Sequence, residues 1–581
     1  MYNVPFHRRL LNRIFKNHIH IKEYGPLVLL SILIGIIGGL GAILFRIMIK
    51  FNKNFFFNII LPRISFYVGD YNLGVILLPA LGGLIVGPLI YKFAREAKGH
   101  GVPEVIEAVH MKGGVIRPVV AFIKIIVSSI TIGSGGSAGR EGPIAQIGAV
   151  FGSIFGQLLF KTKKYVRLMV SCGVAAGISA TFNAPLGGAL FAMEIIATDV
   201  GLTSAIPILL SAVIGDVVTG GLMGFDTLFL SPNYIFSNVA EVPIFFIVGI
   251  IFGILSHVWS KIFYKIEYFF DSLKFPEQYK PVLGGLIVGI MGMFFLNYGI
   301  MGVGYEDIVS TITGKFGLQL LLVLGVLKIF STSFTIGSGA SGGIFAPSLY
   351  IGSMFGAASG LITQHYFPGV VEQPYAFALI GMGALFSGAC RAPVTALVMI
   401  PEMTGNHQLI IPMIIVSTLS YFVASIFSKN SMYLVKLENK GIKIKNKENV
   451  LEDIKVKEIM TKHLDYVHPN TKVSEILDLM MKMKHPGFPV VYHSKKFLGF
   501  ITIYRLKGIR KKQRDKMLVK KIAYKEYPYV SPEDSVYHAL NIMIRHNYGR
   551  IPVLVKKNRS YYIKGVISKT DVIRAYGMLM K

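Results

Sequence analysis

The stretch G-S-G-G-S-A-G-R-E-G-P, Gly133 to Pro143, places polar, glycine-rich backbone between two apolar segments. If those segments lie in a membrane, Arg140 and Glu141 are costly there, and ionisable residues at membrane depth are usually functional. Pro143 suits the first turn of a helix, so a helix is predicted to start beside Glu141, with free amides and a positive dipole end facing the carboxylate. Such an end attracts anions, and Glu141 is therefore predicted to act as a gate that competes with an anion for one seat. The alternative is a glycine-rich packing turn with a surface ion pair.

This stretch belongs to an internal repeat. Residues 133–156 return, with matching glycines, as residues 337–360, and P-A-L-G-G-L-I-V-G at 79–87 returns as P-V-L-G-G-L-I-V-G at 281–289. The other matching pairs are Gly99-His100-Gly101 with Gly302-Val303-Gly304, Ala184-Pro185 with Ala392-Pro393, and Glu194 with Glu402. Because the matches keep their order and nearly constant offsets, they predict one duplicated unit, a symmetry that transporter folds show.

The charges predict that the two copies are inserted in opposite directions. Lys and Arg collect in cytoplasmic loops. The basic segment 92–98 corresponds to the uncharged segment 295–301, and the basic loop from Lys161 corresponds to residues 363–375, which contain no Lys or Arg. Equivalent loops are therefore expected on opposite sides, with the pseudo-twofold axis in the membrane plane.

The composition indicates a polytopic membrane protein. The 581 residues have a mean hydropathy of +0.56, 52% are hydrophobic, and the 62 glycines fit close helix packing in lipid. Cys172 and Cys390 are predicted to be free, buried thiols, with no disulfide or metal cluster. The basic start and the long apolar span at 26–49 predict a retained helix after a cytosolic N-terminus rather than a removable signal peptide.

The net charge of +29 falls largely in residues 441–581. A basic cytosolic face is expected beside anionic lipid. Nucleic-acid binding is the rival interpretation, but the tail has no recognised nucleic-acid module, so no nucleic-acid partner is expected.

Several helices are predicted to stop inside the membrane. Four apolar runs are shorter than the ~20 residues that a spanning helix needs, and these are residues 168–180, 186–197, 318–329 and 376–385. Broken backbone at that depth must be buried in protein or line a cavity, so the turns at Gly99, Gly133 and Gly337 are predicted to converge near the midplane. Such turns supply amide donors and few carboxylates, which favours an anion path.

These motifs resemble those of the CLC family of chloride channels and anion/proton antiporters, over residues 25–437. The matching motifs are Gly99-His100-Gly101-Val102-Pro103, Gly139-Arg140-Glu141-Gly142-Pro143, Gly343-Ile344-Phe345-Ala346-Pro347 and the K-N-S-M-Y that ends at Tyr433. The resemblance implies an all-α polytopic domain with broken, tilted helices in an inverted-topology repeat, a homodimer with one pore per subunit, and voltage-gated-channel-like gating. It also implies that the amides of Ile344 and Phe345 and the hydroxyl of Tyr433 bind the central anion, and that Glu141 is the outer gate.

Two positions depart from the family pattern. His100 stands where the family usually has serine; a neutral imidazole can donate one N–H to an anion and a protonated one binds it more tightly, although the ring could instead point away. Ile195 stands where antiporters typically have an inner, proton-delivering glutamate, which weakens the antiporter assignment. The neighbouring Glu194 is a candidate for the proton path, and the alternative for it is a paired structural carboxylate.

Residues 453–512 and 513–581 resemble a tandem pair of CBS modules, which often bind adenine nucleotides. Each has a hydrophobic strand with proline, at 488–490 and 551–553, and then a glycine-led strand. The resemblance implies that Ser568 and Asp571 contact phosphate and ribose, whereas Arg505 stands at the acid position after Thr502, so one good site for ATP, ADP or AMP is expected at most. The alternative is a pair that only stabilises the dimer.

The predicted organisation is a basic cytosolic N-terminus (1–25), a membrane domain (26–437, with repeats over about 26–230 and 241–433), a charged linker (438–452) and the cytosolic α+β CBS pair. The predicted function is transport of chloride or a similar monovalent anion across the cell membrane, as a channel or an anion/proton antiporter, with no required cofactor or metal. The rival hypotheses are a membrane-embedded adenine-nucleotide sensor without transport and, less favoured, a membrane enzyme, for which no nucleophile and base pair is visible.

Overall fold

The computed structural model divides the chain into two units, Met1–Ile442 and Lys443–Lys581. The structure describes residues 19–160, 162–197, 201–225, 227–229, 234–236, 238–442, 451, 454–483, 485–507, 509–558 and 560–579. Most of the predicted basic N-terminus and much of the predicted charged linker lie outside these residues.

The first unit is helical, and its first half holds one copy of the repeat. The long helix α1 (Ile19–Asn54) runs through a π-helical turn (Phe55–Ile60) into α2 (Leu61–Ile64), and a small hairpin of β1 (Tyr67–Val68) and β2 (Tyr71–Asn72) follows. The remaining helices of this half are α3 (Gly74–Phe93), α4 (Val102–Met111), α5 (Val119–Gly133), α6 (Glu141–Leu159), α7 (Lys163–Phe182), α8 (Pro185–Phe191), which continues as a π-helical turn (Ala192–Ile196), and α9 (Leu202–Met223).

The second half repeats this order. Its helices are α10 (Val242–Ser272), α11 (Lys280–Phe294), α12 (Tyr305–Ile312), α13 (Leu318–Gly337), α14 (Phe345–Tyr366), α15 (Phe377–Cys390), α16 (Pro393–Thr404), α17 (Ile410–Phe427) and α18 (Met432–Asn439). Within the described residues, nine helices are long and apolar enough to cross a membrane, which confirms the polytopic helical fold.

Four apolar runs were predicted to be too short to span the membrane, and this prediction is wrong for two of them. Residues 168–180 lie in α7 and residues 318–329 in α13, and both helices have 20 residues. The apolar runs end where Ser and Thr begin, but these residues continue the helix because their hydroxyls bond back to its carbonyls, as in Ser333 Oγ to Ile329 O (2.7 Å). The other two runs belong to shorter apolar helices: α8 with its π-helical turn, and α15 with its preceding turn.

Helices α3 and α11 make reciprocal contacts, as two copies related by a twofold axis must. A Cβ added at Gly83 would lie 2.5 Å from the carbonyl oxygen of Pro281, and one added at Gly285 would lie 2.5 Å from that of Pro79. Small residues let helix backbones approach closely in a membrane protein. The two segments of near-identical sequence therefore form the contact between the two copies.

The turns before α4, α6 and α14 pair with one another across the two copies. Gly99 N–H donates to Ala340 O (3.0 Å) and Gly342 N–H to Gly99 O (3.2 Å), while Gly139 and Gly343 exchange hydrogen bonds of 2.8 and 2.6 Å. Buried backbone groups need such partners. The glycine turns thus converge, although they meet a few residues after Gly133 and Gly337, which end α5 and α13.

The second unit contains two similar α+β modules. The first is formed by α19 (Val456–Ile459), α20 (Val473–Met483), β3 (Gly487–Val491), β4 (Phe497–Thr502), α21 (Ile503–Lys507) and α22 (Lys511–Arg514), and the second by α23 (Val536–Arg545), β5 (Arg550–Lys557), β6 (Ser560–Ser568) and α24 (Lys569–Leu579). The pairs β3–β4 and β5–β6 are antiparallel hairpins. This confirms the predicted proline-containing strands.

We expect the Gly285→Ala substitution to lower the stability of the first unit by about 1–3 kcal/mol, because the added methyl group meets backbone that cannot move aside. Gly41→Ala is the matched control: it also lies within a helix, and its added Cβ finds no atom nearer than 3.8 Å. Thermal unfolding of both variants in detergent tests this. Equal midpoints for the two variants would contradict the assigned close contact.

Candidate anion site

Three helix N-termini meet at the centre of the first unit. Helices α4, α6 and α14 begin at Val102, Glu141 and Phe345. A Cβ added at Gly142 would lie 2.0 Å from the His100 carbonyl oxygen and 3.1 Å from Gly343 Cα, so the three turns are in direct contact. Only glycine allows this approach, and it aims the free amides and positive dipole ends of the helices at one region.

The carboxylate of Glu141 occupies one of these helix ends. Glu141 is fully buried. Its Oε2 accepts a hydrogen bond from the Ala346 amide (3.3 Å), and its Oε1 accepts one from the Tyr305 hydroxyl. A Cβ at Gly139 would lie 2.1 Å from Oε2, so this glycine makes room for the carboxylate. The alternative of a surface ion pair is wrong, because Glu141 is buried and takes neutral donors from the second copy.

Arg140 is directed away from the Glu141 carboxylate. One of its terminal nitrogens donates to the carbonyl oxygen of Thr181 (3.1 Å), and the guanidinium lies 5.1 Å from the centre of the Tyr305 ring. Arg140 therefore supports the tyrosine that contacts Glu141 and adds positive charge beside the site.

His100 carries two unsatisfied nitrogens. It is 0% exposed, and among the described residues neither ring nitrogen has a hydrogen-bond partner. The ring lies between those of Phe263 and Tyr433, at 5.8 Å from each. A buried polar group without a partner is costly, so both nitrogens are available to a ligand.

The remaining predicted anion-binding residues lie beside these groups. Tyr433 is buried one residue into α18, and the ring of Phe345 packs on Phe182 (4.8 Å) and Phe386 (4.4 Å), which fixes the N-terminus of α14. Ile344 is the N-cap of that helix.

An ion pair ties α18 to α4. Lys436 Nζ lies 2.9 Å from Glu104 Oε1, and each side chain is only 9% exposed. Because α4 begins next to His100 and α18 carries Tyr433, this ion pair fixes the His100 and Tyr433 rings relative to each other. Removing Glu104 would leave the buried Lys436 ammonium without this carboxylate partner.

The structure thus brings together most of the predicted site. The residues that meet at or beside the helix ends are Gly99, His100, Gly101, Val102, Pro103, Gly139, Arg140, Glu141, Gly142, Pro143, Gly343, Ile344, Phe345, Ala346, Pro347 and Tyr433. Each of the three prolines lies in the first turn of its helix.

Glu194 has a different environment. Its oxygens accept hydrogen bonds from the amides of Val394 (3.1 Å) and Thr395 (2.8 Å) and from the Thr395 hydroxyl (2.6 Å). Its counterpart Glu402 accepts from the amides of Leu186 and Gly187 in the same way. Each carboxylate caps a helix of the other copy, which fits the structural interpretation, and a proton-path role for Glu194 stays a prediction.

Three residues beside the site were missed by the sequence reasoning. Lys124 and Lys328 are both fully buried; Lys124 Nζ donates to Ala97 O (3.0 Å) and Gly99 O (2.8 Å), and Lys328 Nζ donates to Gly299 O (2.6 Å) and Gly302 O (3.0 Å). A lysine at matching places in two apolar segments is a signal that could have identified them. The only sequence signal for Tyr305 is its position directly after the glycine turn of the second copy.

The second unit has a cavity of ≈ 450 Å³ between its modules. Polar side chains line it, among them His463, His485, Arg550, Ser568 and Asp571. Ser568 donates its hydroxyl (2.6 Å) and its amide (2.9 Å) to Asp571 Oδ2. The predicted residues Ser568 and Asp571 therefore lie together in a cavity that His463, His485 and Arg550 also line.

Aromatic rings pack where the two modules of the second unit meet. Tyr527 stacks on Phe500 (4.4 Å) and makes a tilted ring contact with Tyr548 (4.5 Å), and the guanidinium of Arg505 covers the Tyr524 ring. Burial raises the pKa of Tyr527, so its hydroxyl stays neutral. Thr502 ends β4 and does not line the cavity that contains Ser568 and Asp571.

These features define a polytopic membrane protein with a duplicated unit whose broken-helix N-termini converge between the copies. A family profile described as "Voltage gated chloride channel" matches residues 82–425, and CBS domain profiles match residues 456–510 and 519–577. The chain therefore belongs to the voltage gated chloride channel family, the CLC proteins, and carries two CBS domains.

Relatives and solved structures agree with this assignment. The chain is 32% identical over 413 residues to an "H(+)/Cl(-) exchange transporter ClcA" of Vibrio cholerae serotype O1 (strain M66-2), covering 70% of this chain and 87% of that protein. It is 29% identical over 362 residues to a "Putative chloride channel protein ClcB-like" of Ralstonia nicotianae, covering 62% and 84%. The structure of a slow cyanobacterial Cl−/H+ antiporter matches with a TM-score of 0.65 at 26% identity, covering 71% of this chain and 97% of that one.

A eukaryotic CLC transporter shares the fold with a TM-score of 0.62 at 20% identity, over 94% of this chain and 97% of that one. Family membership supports a transporter rather than an enzyme. It does not favour the rival hypothesis of a nucleotide sensor without transport.

Proposed function

We propose that this protein exchanges chloride, or a similar monovalent anion, for protons across a membrane, with Glu141 as the gate. The observation that carries the proposal is the position of the Glu141 carboxylate. It lies against the Ala346 amide at the N-terminus of α14, where helix ends bind anions. A side-chain anion therefore fills the seat that a transported anion needs.

The gate works by competition for this seat. An ionised Glu141 is attracted to the helix end and blocks it, whereas a protonated Glu141 loses most of that attraction. An anion can then displace the side chain. Since the displaced carboxyl carries a proton, one movement links anion transfer to proton transfer.

The inner part of the path has donors suited to a second anion. The amides of Ile344 and Phe345, the Tyr433 hydroxyl and one N–H of His100 are the groups we assign to it. Such donors replace the hydration shell that an anion loses on entering. His100 supports this assignment because its ring nitrogens are buried without protein partners among the described residues.

The proton must reach Glu141 without a carboxylate at position 195, because Ile195 has none. Exchange rather than passive conduction is supported by the similarity to proteins described as H(+)/Cl(-) exchange transporters and by the Glu141 carboxylate, which is placed to serve as both gate and proton carrier. The following experiment distinguishes exchange from passive conduction.

Purified protein in vesicles should release chloride down its gradient and move protons in the opposite direction against theirs. In Glu141→Gln, we expect chloride flux to persist and proton movement to fall below detection, because the amide cannot take up a proton and has no charge to hold it at the helix end. Chloride and pH electrodes measure both fluxes in one sample. Wild-type chloride flux without proton movement would refute exchange, and unchanged fluxes in Glu141→Gln would refute the gate.

We also propose that the cavity of the second unit binds one adenine nucleotide, with Asp571 accepting from the ribose hydroxyls. The support is that Asp571 is oriented by two hydrogen bonds from Ser568, in a cavity that also presents His463, His485 and Arg550 for phosphates. Binding there would modulate transport.

In isothermal titration of the full chain, we expect one ATP, ADP or AMP site per chain. Asp571→Ala should weaken binding about tenfold or more, because hydrogen bonds to a charged group are lost, while Thr502→Ala serves as the control and should bind like wild type. If no adenine nucleotide binds, or if the two variants bind equally, the proposed site is wrong.

A further inference from the structure

Tyr305 contacts the Glu141 carboxylate from the second copy of the repeat. It is the first residue of α12, directly after the glycine turn that corresponds to Gly99-His100-Gly101. Its hydroxyl donates to Glu141 Oε1, while the other oxygen is held by the Ala346 amide. The side chain comes from one copy and both of its donors come from the other.

We infer that Tyr305 is a positioning residue that holds the Glu141 carboxylate in the anion seat and so sets how strongly an anion must compete for it. The inference rests on the proposed function, because it assigns a role to a residue that touches the proposed gate. A hydrogen bond from a neutral donor to a carboxylate is strong when water is excluded. Its loss should therefore favour the anion over the carboxylate.

Contacts other than the one with Glu141 also hold the Tyr305 ring. One face of the Tyr305 ring receives the Arg140 guanidinium at 5.1 Å, and Phe229 meets the ring edge to face at 5.5 Å. Arg140 is itself fixed by the carbonyl of Thr181. At Gly304 the backbone has a φ of +86°, and a Cβ there would lie 2.7 Å from the Tyr350 ring, so the start of α12 has little freedom.

The position of the Arg140 guanidinium over the Tyr305 ring indicates a role for Arg140 other than ion pairing. A guanidinium over a tyrosine ring is a favourable cation–π contact. It places positive charge against the Tyr305 phenol, which strengthens the hydroxyl as a donor to Glu141. Arg140 thus acts on the gate through Tyr305, and the two residues form one support.

Chloride affinity of the full-length protein tests the inference. With isothermal titration of chloride in detergent, Tyr305→Phe should bind chloride about tenfold more tightly than wild type, because the carboxylate loses one of its two donors. In the Glu141→Ala background no carboxylate competes, so Tyr305→Phe should leave the affinity unchanged. This dependence on residue 141 separates positioning of the gate from general damage to the fold, which would change affinity in both backgrounds.

Tyr350→Phe is the matched control. The Tyr350 hydroxyl also donates a hydrogen bond in the interior, to the carbonyl oxygen of Tyr298 at 2.5 Å, but this hydroxyl does not contact Glu141. It should bind chloride like wild type. If Tyr305→Phe binds like wild type, or shifts the affinity equally with and without Glu141, the inference is overturned while the anion site stands. If neither wild type nor Glu141→Ala binds chloride, the proposed function falls, and the inference with it.

Discussion

The structure depends on the mutual pairing of three non-helical turns, those before α4, α6 and α14, in the interior of the first unit. Helices satisfy their own backbone, but the turns that interrupt them leave amides and carbonyls that water cannot reach. Gly99 pairs with the segment from Ala340 to Gly342, and Gly139 pairs with Gly343, so each copy of the repeat supplies the partners that the other lacks. One copy alone would leave these groups unsatisfied, which explains why the unit is duplicated and why glycine fills the positions of closest approach.

The backbone carbonyls and the backbone amides of the paired turns have different partners. Carbonyl oxygens of the turns accept hydrogen bonds from Lys124 in the first copy and from Lys328 in the second. Amides at the starts of α4, α6 and α14 remain directed at the centre. These donors suit a small anion or the carboxylate of Glu141.

The sequence was sufficient to predict the duplicated unit, the helix start at Glu141 and the convergence of the glycine turns, because glycine, proline and charge in an apolar segment have few structural uses. It did not predict the length of α7 and α13, since Ser and Thr lower hydropathy without breaking a helix. Tyr305 was missed because a tyrosine after a glycine turn is common, and only the folded backbone brings it across the repeat to Glu141. The capping role of Glu194 likewise depends on α16 of the other copy, which no local pattern reveals.

The central claim is that helix ends from two copies form one seat for an anion between His100, Phe345 and Tyr433. The most direct test is X-ray diffraction from crystals soaked in bromide, with data collected at the bromine absorption edge. The account predicts an anomalous peak within hydrogen-bonding reach of the Phe345 amide and the Tyr433 hydroxyl. A second peak is expected beside the Ala346 amide when Glu141 is replaced by alanine. Crystals that bind bromide elsewhere on the protein and show no peak among these residues would contradict the claim.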